Sequence, residues 1–237
     1  VQDISISVKP GEVFAIIGTN GAGKTTLINV ISGVYPPSDG QVMFQTENLA
    51  GLSADKIAAK GIARTFQNIE LFEHASVLDN LLLGRYRHRR ASLLEELLFM
   101  PRARKDALAA RLAVEQVIEY LELEQWRDSP VAGLAYGVRK QIELGRALAM
   151  EPEILLLDEP MAGMNVEEKQ DMSRFVLTVN NELKTTIVLI EHDMGVVMDI
   201  SDRIVVLDYG KKIGSGLPNE IRNNKAVIDA YLGVSDD

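Results

Sequence analysis

Cysteine is absent from all 237 residues. That excludes disulfides, thiolate metal sites and a cysteine nucleophile, and it fits a reducing compartment. Positive charge is scarce as well: 25 basic against 34 acidic residues leave a formal charge of −9. Such a balance argues against a general nucleic-acid coat and leaves room only for a local basic patch. No apolar run approaches the ~20 residues that cross a bilayer, so any membrane role is expected to come through a partner. Internal repeats and low-complexity segments are missing too. What remains is a chain long enough to bury a real core, as one large domain or a domain with a subdomain.

The stretch Gly18-Thr19-Asn20-Gly21-Ala22-Gly23-Lys24-Thr25-Thr26 organises it. It reads G-x-x-x-x-G-K-T, the phosphate-binding loop pattern. The apolar run Val13-Phe14-Ala15-Ile16-Ile17 before it suits a buried strand, and Leu27-Ile28-Asn29-Val30-Ile31 after it suits a helix stopped at Gly33. Glycines let successive backbone N–H groups face one anion, and the helix start adds its positive dipole end. Lys24 supplies a mobile cation for the terminal phosphates, and the Thr25 hydroxyl can ligate magnesium.

Along the chain, Ile4, Ile6 and Val8 alternate as in an antiparallel or edge strand over residues 1–8. Residues 41–44 and 62–66 read as further strands, with a Ser53-capped helix between them that ends at Gly61. From Ser76 to about Met150 strand-like runs vanish and helical spacing takes over. Ser76 can cap a helix through Val77, Leu78, Leu81 and Leu82, and Val114, Val117, Ile118 and Leu121 share one helix face. A basic stretch lies between, with Arg85, Arg87, His88, Arg89, Arg90, Arg102, Arg104 and Lys105. A solvated helical surface is the plainer reading, and contact with an anionic lipid face the sharper one. The α/β rhythm then returns: strands at 154–157, 186–190 and 203–207, helices at 167–183 and 194–200, and Pro218 in the first turn of another helix. The expectation is an α/β core (1–74 and 146–237) with an inserted helical subdomain near 75–145.

Asp158-Glu159 ends the strand at 154–157. An acid there, beside a phosphate loop, can hold magnesium through water, and the next carboxylate can polarise an attacking water. His192 follows a neighbouring strand, at the end where ligands gather in open α/β sheets; a lone histidine can also be purely structural. Gln67, just past a strand, can reach the metal or its water by its amide oxygen, or do neither.

With Leu134-Ala135-Tyr136-Gly137-Val138-Arg139-Lys140-Gln141 the chain resembles the ATP-binding cassette (ABC) ATPases, the nucleotide-binding subunits of ABC transporters. Leu134 to Gly137 look like the family's Leu-Ser-Gly-Gly signature, and residues 18–26 its Walker A loop. Gln67 in Arg64-Thr65-Phe66-Gln67-Asn68 is similar to the Q-loop, and residues 154–160 to Walker B with its catalytic glutamate. Ala162-Gly163-Met164-Asn165 sits at the D-loop, and Glu191-His192-Asp193 at the switch histidine. Ala135 replaces the signature serine, and Asn165 the usual D-loop aspartate. The Ala-Tyr-Gly signature, Ala-Gly-Met-Asn, Ile190-Glu191-His192-Asp193-Met194 and the ending Ala230-Tyr231-Leu232-Gly233 look like one branch, the ATPases of branched-chain amino-acid importers. Urea and amide importers share that branch.

The resemblance implies an α/β P-loop NTPase core of ABC-ATPase type, with an antiparallel β subdomain and an inserted helical subdomain. It implies ATP and Mg2+: residues 18–26 on the phosphates, Thr25, Gln67 and Asp158 arranging the metal. Lys24, Glu159 and His192 serve catalysis. Ala135, Tyr136 and Gly137 meet the nucleotide of a second ABC ATPase subunit, the same chain or a related one. Further partners implied are membrane-spanning permease subunits and, indirectly, a periplasmic or extracellular solute-binding protein, with no nucleic acid. The place implied is the cytoplasmic face of a prokaryotic cell membrane. The segment from Asn68 to Phe72 is expected to dock on the permease. The family's adenine-stacking aromatic has no counterpart here and is expected upstream of Val1, with an edge strand, on the order of twenty residues. The rivals are a non-transport cassette protein, usually tandem or carrying coiled-coil or zinc insertions, and a small-molecule P-loop kinase, which has no reason to carry residues 134–141.

Overall fold

A computed structural model describes residues 1–67, 69–98 and 100–232. Asn68, Phe99 and the end from Gly233 lie outside the described residues, so those parts of the docking segment and of the C-terminal pattern are not seen. The chain divides into two compact units, residues 1–67 with 153–237, and residues 68–152.

In the first unit β1 (Val13–Gly18) leads into α1 (Lys24–Ile31). A small antiparallel ladder, β2 (Met43–Phe44) with β3 (Glu47–Asn48), precedes α2 (Ala54–Ala59) and β4 (Ile62–Arg64). After the second unit come β5 (Ile154–Asp158), α7 (Val166–Leu183), β6 (Thr186–Ile190) and α8 (Met194–Ile200). The strands β7 (Arg203–Asp208) and β8 (Lys211–Gly216) and the helices α9 (Pro218–Arg222) and α10 (Lys225–Leu232) complete it. Six strands form one sheet in the order β4-β5-β6-β1-β7-β8; all neighbours are parallel except β7 and β8.

The central strands carry continuous apolar runs, 13–17, 155–157, 187–190 and 204–207, because both sheet faces are covered. Phe14, Ile16, Val205 and Leu207 pack to one side with Ile28 and Ile57. Their alternate neighbours Ala15, Ile17, Ile204 and Val206 pack to the other with Val197 and Ile221. The register aligns Ile16 with Ile190 and Ile190 with Asp158. The carboxyl ends of β1, β6 and β5 are therefore level, and the loops that leave them emerge along one edge.

The expected strand over residues 1–8 does not form a ladder. Ile4, Ile6 and Val8 do alternate inward against the core, but the backbone there meets a turn and side chains: the Gln2 N–H donates to the Gly210 carbonyl at 2.8 Å, Lys212 Nζ to the Ser5 carbonyl at 2.8 Å and Arg203 to that of Ser7. The strand expected at 62–66 is shorter: its ladder with β5 runs from Ile62 to Arg64, and the Thr65 N–H then donates to the Leu156 carbonyl at 2.9 Å. Likewise 41–44 is strand only at its last two residues.

The second unit holds α3 (Val77–Gly84), α4 (Leu93–Leu97), α5 (Pro101–Tyr120) and α6 (Tyr136–Leu148). Ser76 caps α3 by accepting from the Asp79 N–H at 3.1 Å. Val114, Val117, Ile118 and Leu121 are buried together, as their spacing predicts. Gly84 lets α3 approach α6 closely: a Cβ there would meet the Arg146 carbonyl at 2.2 Å. Part of the basic stretch is engaged within the unit, with Arg85 on the Ala149 carbonyl and Glu151, and His88 on the Met150 carbonyl.

Candidate functional site

The loop between β1 and α1 is shaped by positions that require glycine. Gly18 has φ +155, and a Cβ on it would sit 2.1 Å from the Leu207 carbonyl oxygen of β7. Gly23, at φ 97, turns the chain into α1, whose first residue is Lys24. The Gly210 N–H holds the loop by donating to the Ala22 carbonyl at 3.0 Å, and Thr19 Oγ1 donates to Asp208 Oδ1 at 3.1 Å. Lys24 is 5 % exposed, and its ammonium donates to the carbonyls of Gly18 (2.8 Å) and Thr19 (3.0 Å). Burial pulls its pKa down, while Glu159 and Asp158 oppose that shift by their charge. Ala22 is buried, whereas Asn20, Gly21, Thr25 and Thr26 are exposed.

Asp158 closes β5 and is 1 % exposed. Its Oδ2 accepts from Arg64 Nη2 at 2.9 Å. Glu159 follows in a left-handed conformation, φ 52, a costly backbone for a residue with a Cβ that persists where surroundings fix it. Its N–H donates to the Ile190 carbonyl at 3.0 Å. Its two oxygens are divided: Oε2 accepts from Gln67 Nε2 at 3.0 Å, and Oε1 is hydrogen-bonded to His192 Nε2 at 2.5 Å. Four segments far apart in sequence, the phosphate loop, Gln67, Asp158-Glu159 and His192, thus meet at the carboxyl edge of the sheet. That is where an open α/β sheet takes its ligand.

Three contributors were not singled out from sequence. Arg64 links Asp158 to α1, donating from Nη1 to Asn29 Oδ1 (2.6 Å) and Ser32 Oγ (3.0 Å). Glu191 is 4 % exposed and accepts from the N–H groups of Met161 and His192; burial raises its carboxyl above the ordinary glutamate range. Lys169 donates to Asp193 Oδ2 at 2.7 Å, and Asp193 caps α8. Asn165 has a local reason to replace an aspartate: with Glu168 it forms a capping box at the start of α7. For Arg64 and Glu191 the sequence signal is a charge at the end of an apolar strand; Lys169, inside α7, carries none.

Ala135, Tyr136 and Gly137 belong to the second unit. Ala135 precedes α6 without a side-chain cap, as a residue with no polar side-chain atom must. Ala135 and Tyr136 are exposed and Gly137 is buried in the first turn, so the helix start presents backbone N–H groups and its dipole.

For magnesium, the relevant donors in the first unit are the Thr25 hydroxyl, the Gln67 amide and the Asp158 carboxylate. All three offer hard oxygens, the type this ion takes, and Mg2+ needs few protein ligands when phosphates supply the rest. Among the described residues no cluster of three or more histidine, cysteine, aspartate or glutamate side chains is placed to hold a metal ion.

The sheet, the glycine loop and the acids beside it define a nucleoside-triphosphate-binding α/β protein. A family model described as "ABC transporter" matches residues 1–162, and the chain belongs to the ATP-binding cassette family. A second model, "Branched-chain amino acid ATP-binding cassette transporter", matches residues 211–237. The chain is 39% identical over 233 residues to the high-affinity branched-chain amino acid transport ATP-binding protein LivG of Escherichia coli K12, covering 98% of this chain and 91% of the relative. Its structure is similar to that of the cassette MJ1267 in its ADP conformation, with a TM-score of 0.83, 31% identity, and 97% and 91% of the two chains covered. It is also similar to a dimeric, post-hydrolysis cassette, MJ0796, bound to ADP and Pi, with a TM-score of 0.74, 25% identity, and 90% and 88% covered.

Proposed function

We propose that this chain is the ATP-binding subunit of an importer of branched-chain amino acids and that it hydrolyses ATP at the edge described above. The observation that carries the hydrolytic reading is Glu159. Its carboxylate is held by Gln67 on one side and His192 on the other, one residue past Asp158 and close to Lys24. A carboxylate so oriented is suited to take a proton from water as that water attacks the terminal phosphate.

Lys24 and the loop amides of residues 18–26 hold the phosphates; the Lys24 ammonium lies at the mouth of the loop, against the carbonyls of Gly18 and Thr19. Thr25, Gln67 and Asp158 would hold Mg2+, which would neutralise charge on the phosphate oxygens. His192 contacts the terminal phosphate and keeps the orientation of Glu159. Ala135, Tyr136 and Gly137 complete the site of a second ATPase subunit, an arrangement supported by the likeness to a dimeric cassette. A dry interface makes these charges effective only when the pair is closed.

Among the described residues no helix is long and apolar enough to cross a membrane. We place the subunit peripherally, on the cytoplasmic face, bound to membrane-spanning permease subunits and served by a solute-binding protein on the far side; the likeness to a transport ATP-binding protein supports this. The amino-acid substrate is supported by LivG and by the family model over residues 211–237. The test is reconstitution of the chain with its co-purifying membrane subunits into vesicles. ATP-dependent uptake of leucine or isoleucine, and not of urea, is expected. Uptake of urea alone would move the substrate to the amide importers, and no membrane partner at all would overturn the transport role.

A further inference from the structure

We propose that Glu191 is a positioning residue for hydrolysis: its buried carboxylate ties the turn after Glu159 to the backbone of His192 and so sets how the two side chains meet. The inference rests on the reading of Glu159 and His192 as the hydrolytic pair.

Glu191 leaves β6 directly after Ile190 and is buried. Oε1 accepts from the Met161 N–H at 2.8 Å, and Oε2 accepts from the His192 N–H at 3.1 Å. Among the described residues no lysine, arginine or histidine forms an ion pair with it. Burying a carboxylate against two neutral amides is costly compared with filling the same space by an apolar side chain. What the carboxylate holds accounts for its presence.

Its first target is the turn that carries Glu159. The Ala162 N–H closes that turn on the Glu159 carbonyl at 3.2 Å, and Met161, two residues after Glu159, is fully buried. Glu159 itself sits at φ 52, a conformation that relaxes unless the surroundings over-determine it. The contacts form a closed ring. The Glu159 carboxylate meets the His192 imidazole, the His192 amide meets Glu191, Glu191 meets the Met161 amide, and two residues of backbone return to Glu159. Asp193, next along, is engaged elsewhere by Lys169 and the start of α8. Glu191 thus reaches the backbone of the Glu159 turn, while His192 reaches the Glu159 carboxylate. A ring of this kind fixes a distance that neither strand end fixes alone.

Glutamine is isosteric but offers one acceptor where the carboxylate offers two, and its amide group would face an N–H. In the assembled transporter, Glu191→Gln is expected to lower kcat by about 10- to 100-fold, the scale of a misplacement approaching 1 Å. ATP affinity should stay within about twofold, since Lys24 and its loop are untouched. Added to Glu159→Gln, the same change should cost nothing more, because it acts through Glu159. Turnover of Glu191→Gln near wild type, a parallel loss of ATP affinity, or a full further loss in the double variant would each overturn the proposal. Hydrogen exchange at the Met161 amide of the unaltered protein gives a reading that requires no variant: slow exchange is expected, and exchange as fast as an exposed loop contradicts the tie. Glu159→Gln alone separates the two levels. If it remains active, the site reading fails; if it is inactive while Glu191→Gln is normal, only the role of Glu191 fails.

Discussion

Replacing Arg64 by methionine should destabilise the first unit more than any change at the surface. The guanidinium side chain is 9 % exposed and its partner Asp158 1 %, so neither charge can turn to water. Removing one partner of such a pair leaves the other buried and uncompensated, at a cost of about 3–5 kcal/mol. The lost bonds to Asn29 and Ser32 add roughly 1 kcal/mol in net terms, because Ser32 keeps its own bond to the Ile28 carbonyl and Asn29 is half-buried. The expected total, about 4–6 kcal/mol, is a large share of the ~5–15 kcal/mol by which a domain is usually stable. For a chain of this size it corresponds to a fall of roughly 10–20 °C in Tm. Methionine fills much of the aliphatic volume, so the loss reports the charge and not a cavity. The assay is urea unfolding of the wild type, Arg64→Met, Asp158→Asn and the double variant. The double variant should recover about 2 kcal/mol or more relative to additivity, since it no longer buries a lone charge. Arg64→Met within 1 kcal/mol of wild type, or a strictly additive cycle, would refute the reasoning.

Three further outcomes are expected. Lys24→Ala removes a charge-assisted partner of the phosphates, worth about 1.5–3 kcal/mol, so calorimetry should find ATP bound roughly ten- to hundred-fold more weakly; unchanged affinity would remove Lys24 from the site. Phe72 is 62 % exposed and Leu71 half-buried, while buried Asn80 holds the Phe72 backbone at both N–H and carbonyl. The double variant Leu71→Asp, Phe72→Asp should therefore fold normally and fail to co-purify with the permease, and normal co-purification would take this segment off the docking face. Asp193, held below the ordinary aspartate range by its hydrogen bond from Lys169, contributes stability that is present above the unfolded value and lost as pH falls through the depressed one. Lys169→Met should shift acid unfolding toward higher pH, in the region below about pH 5 where aspartates titrate, and an unchanged acid transition would discount the pair.

How much of this was legible in sequence depended on how local the cause is. The phosphate loop, β6 and α8 were readable to the residue because continuous apolar runs, glycines and caps act over a few positions. Residues 1–8 alternate correctly, yet alternation says which side faces the core and not whether a neighbouring strand exists; Lys212 and Arg203, about 200 positions away, supply backbone partners instead. Arg64 carries no periodic signal in the three-residue strand Ile62–Arg64, and its partners lie 32, 35 and 94 positions off. Glu191 carries no reading of its own in the sequence, where it stands only beside His192. Its role depends on the turn after Glu159, which parallel pairing of β5 with β6 brings alongside. Asn165 read as a departure from a motif and is a helix cap, because only the start of α7 at Val166 makes its side chain and Glu168 reciprocal.

The most direct measurement is ATP turnover by Glu159→Gln in the assembled transporter, made together with ATP binding. Loss of an oriented base costs about 10²–10⁴-fold, and the substitution leaves Lys24 and the phosphate loop in place. The account predicts turnover reduced by that factor with ATP affinity retained. Turnover within threefold of wild type would contradict it, and would mean that the carboxylate held between Gln67 and His192 is not the group that activates water.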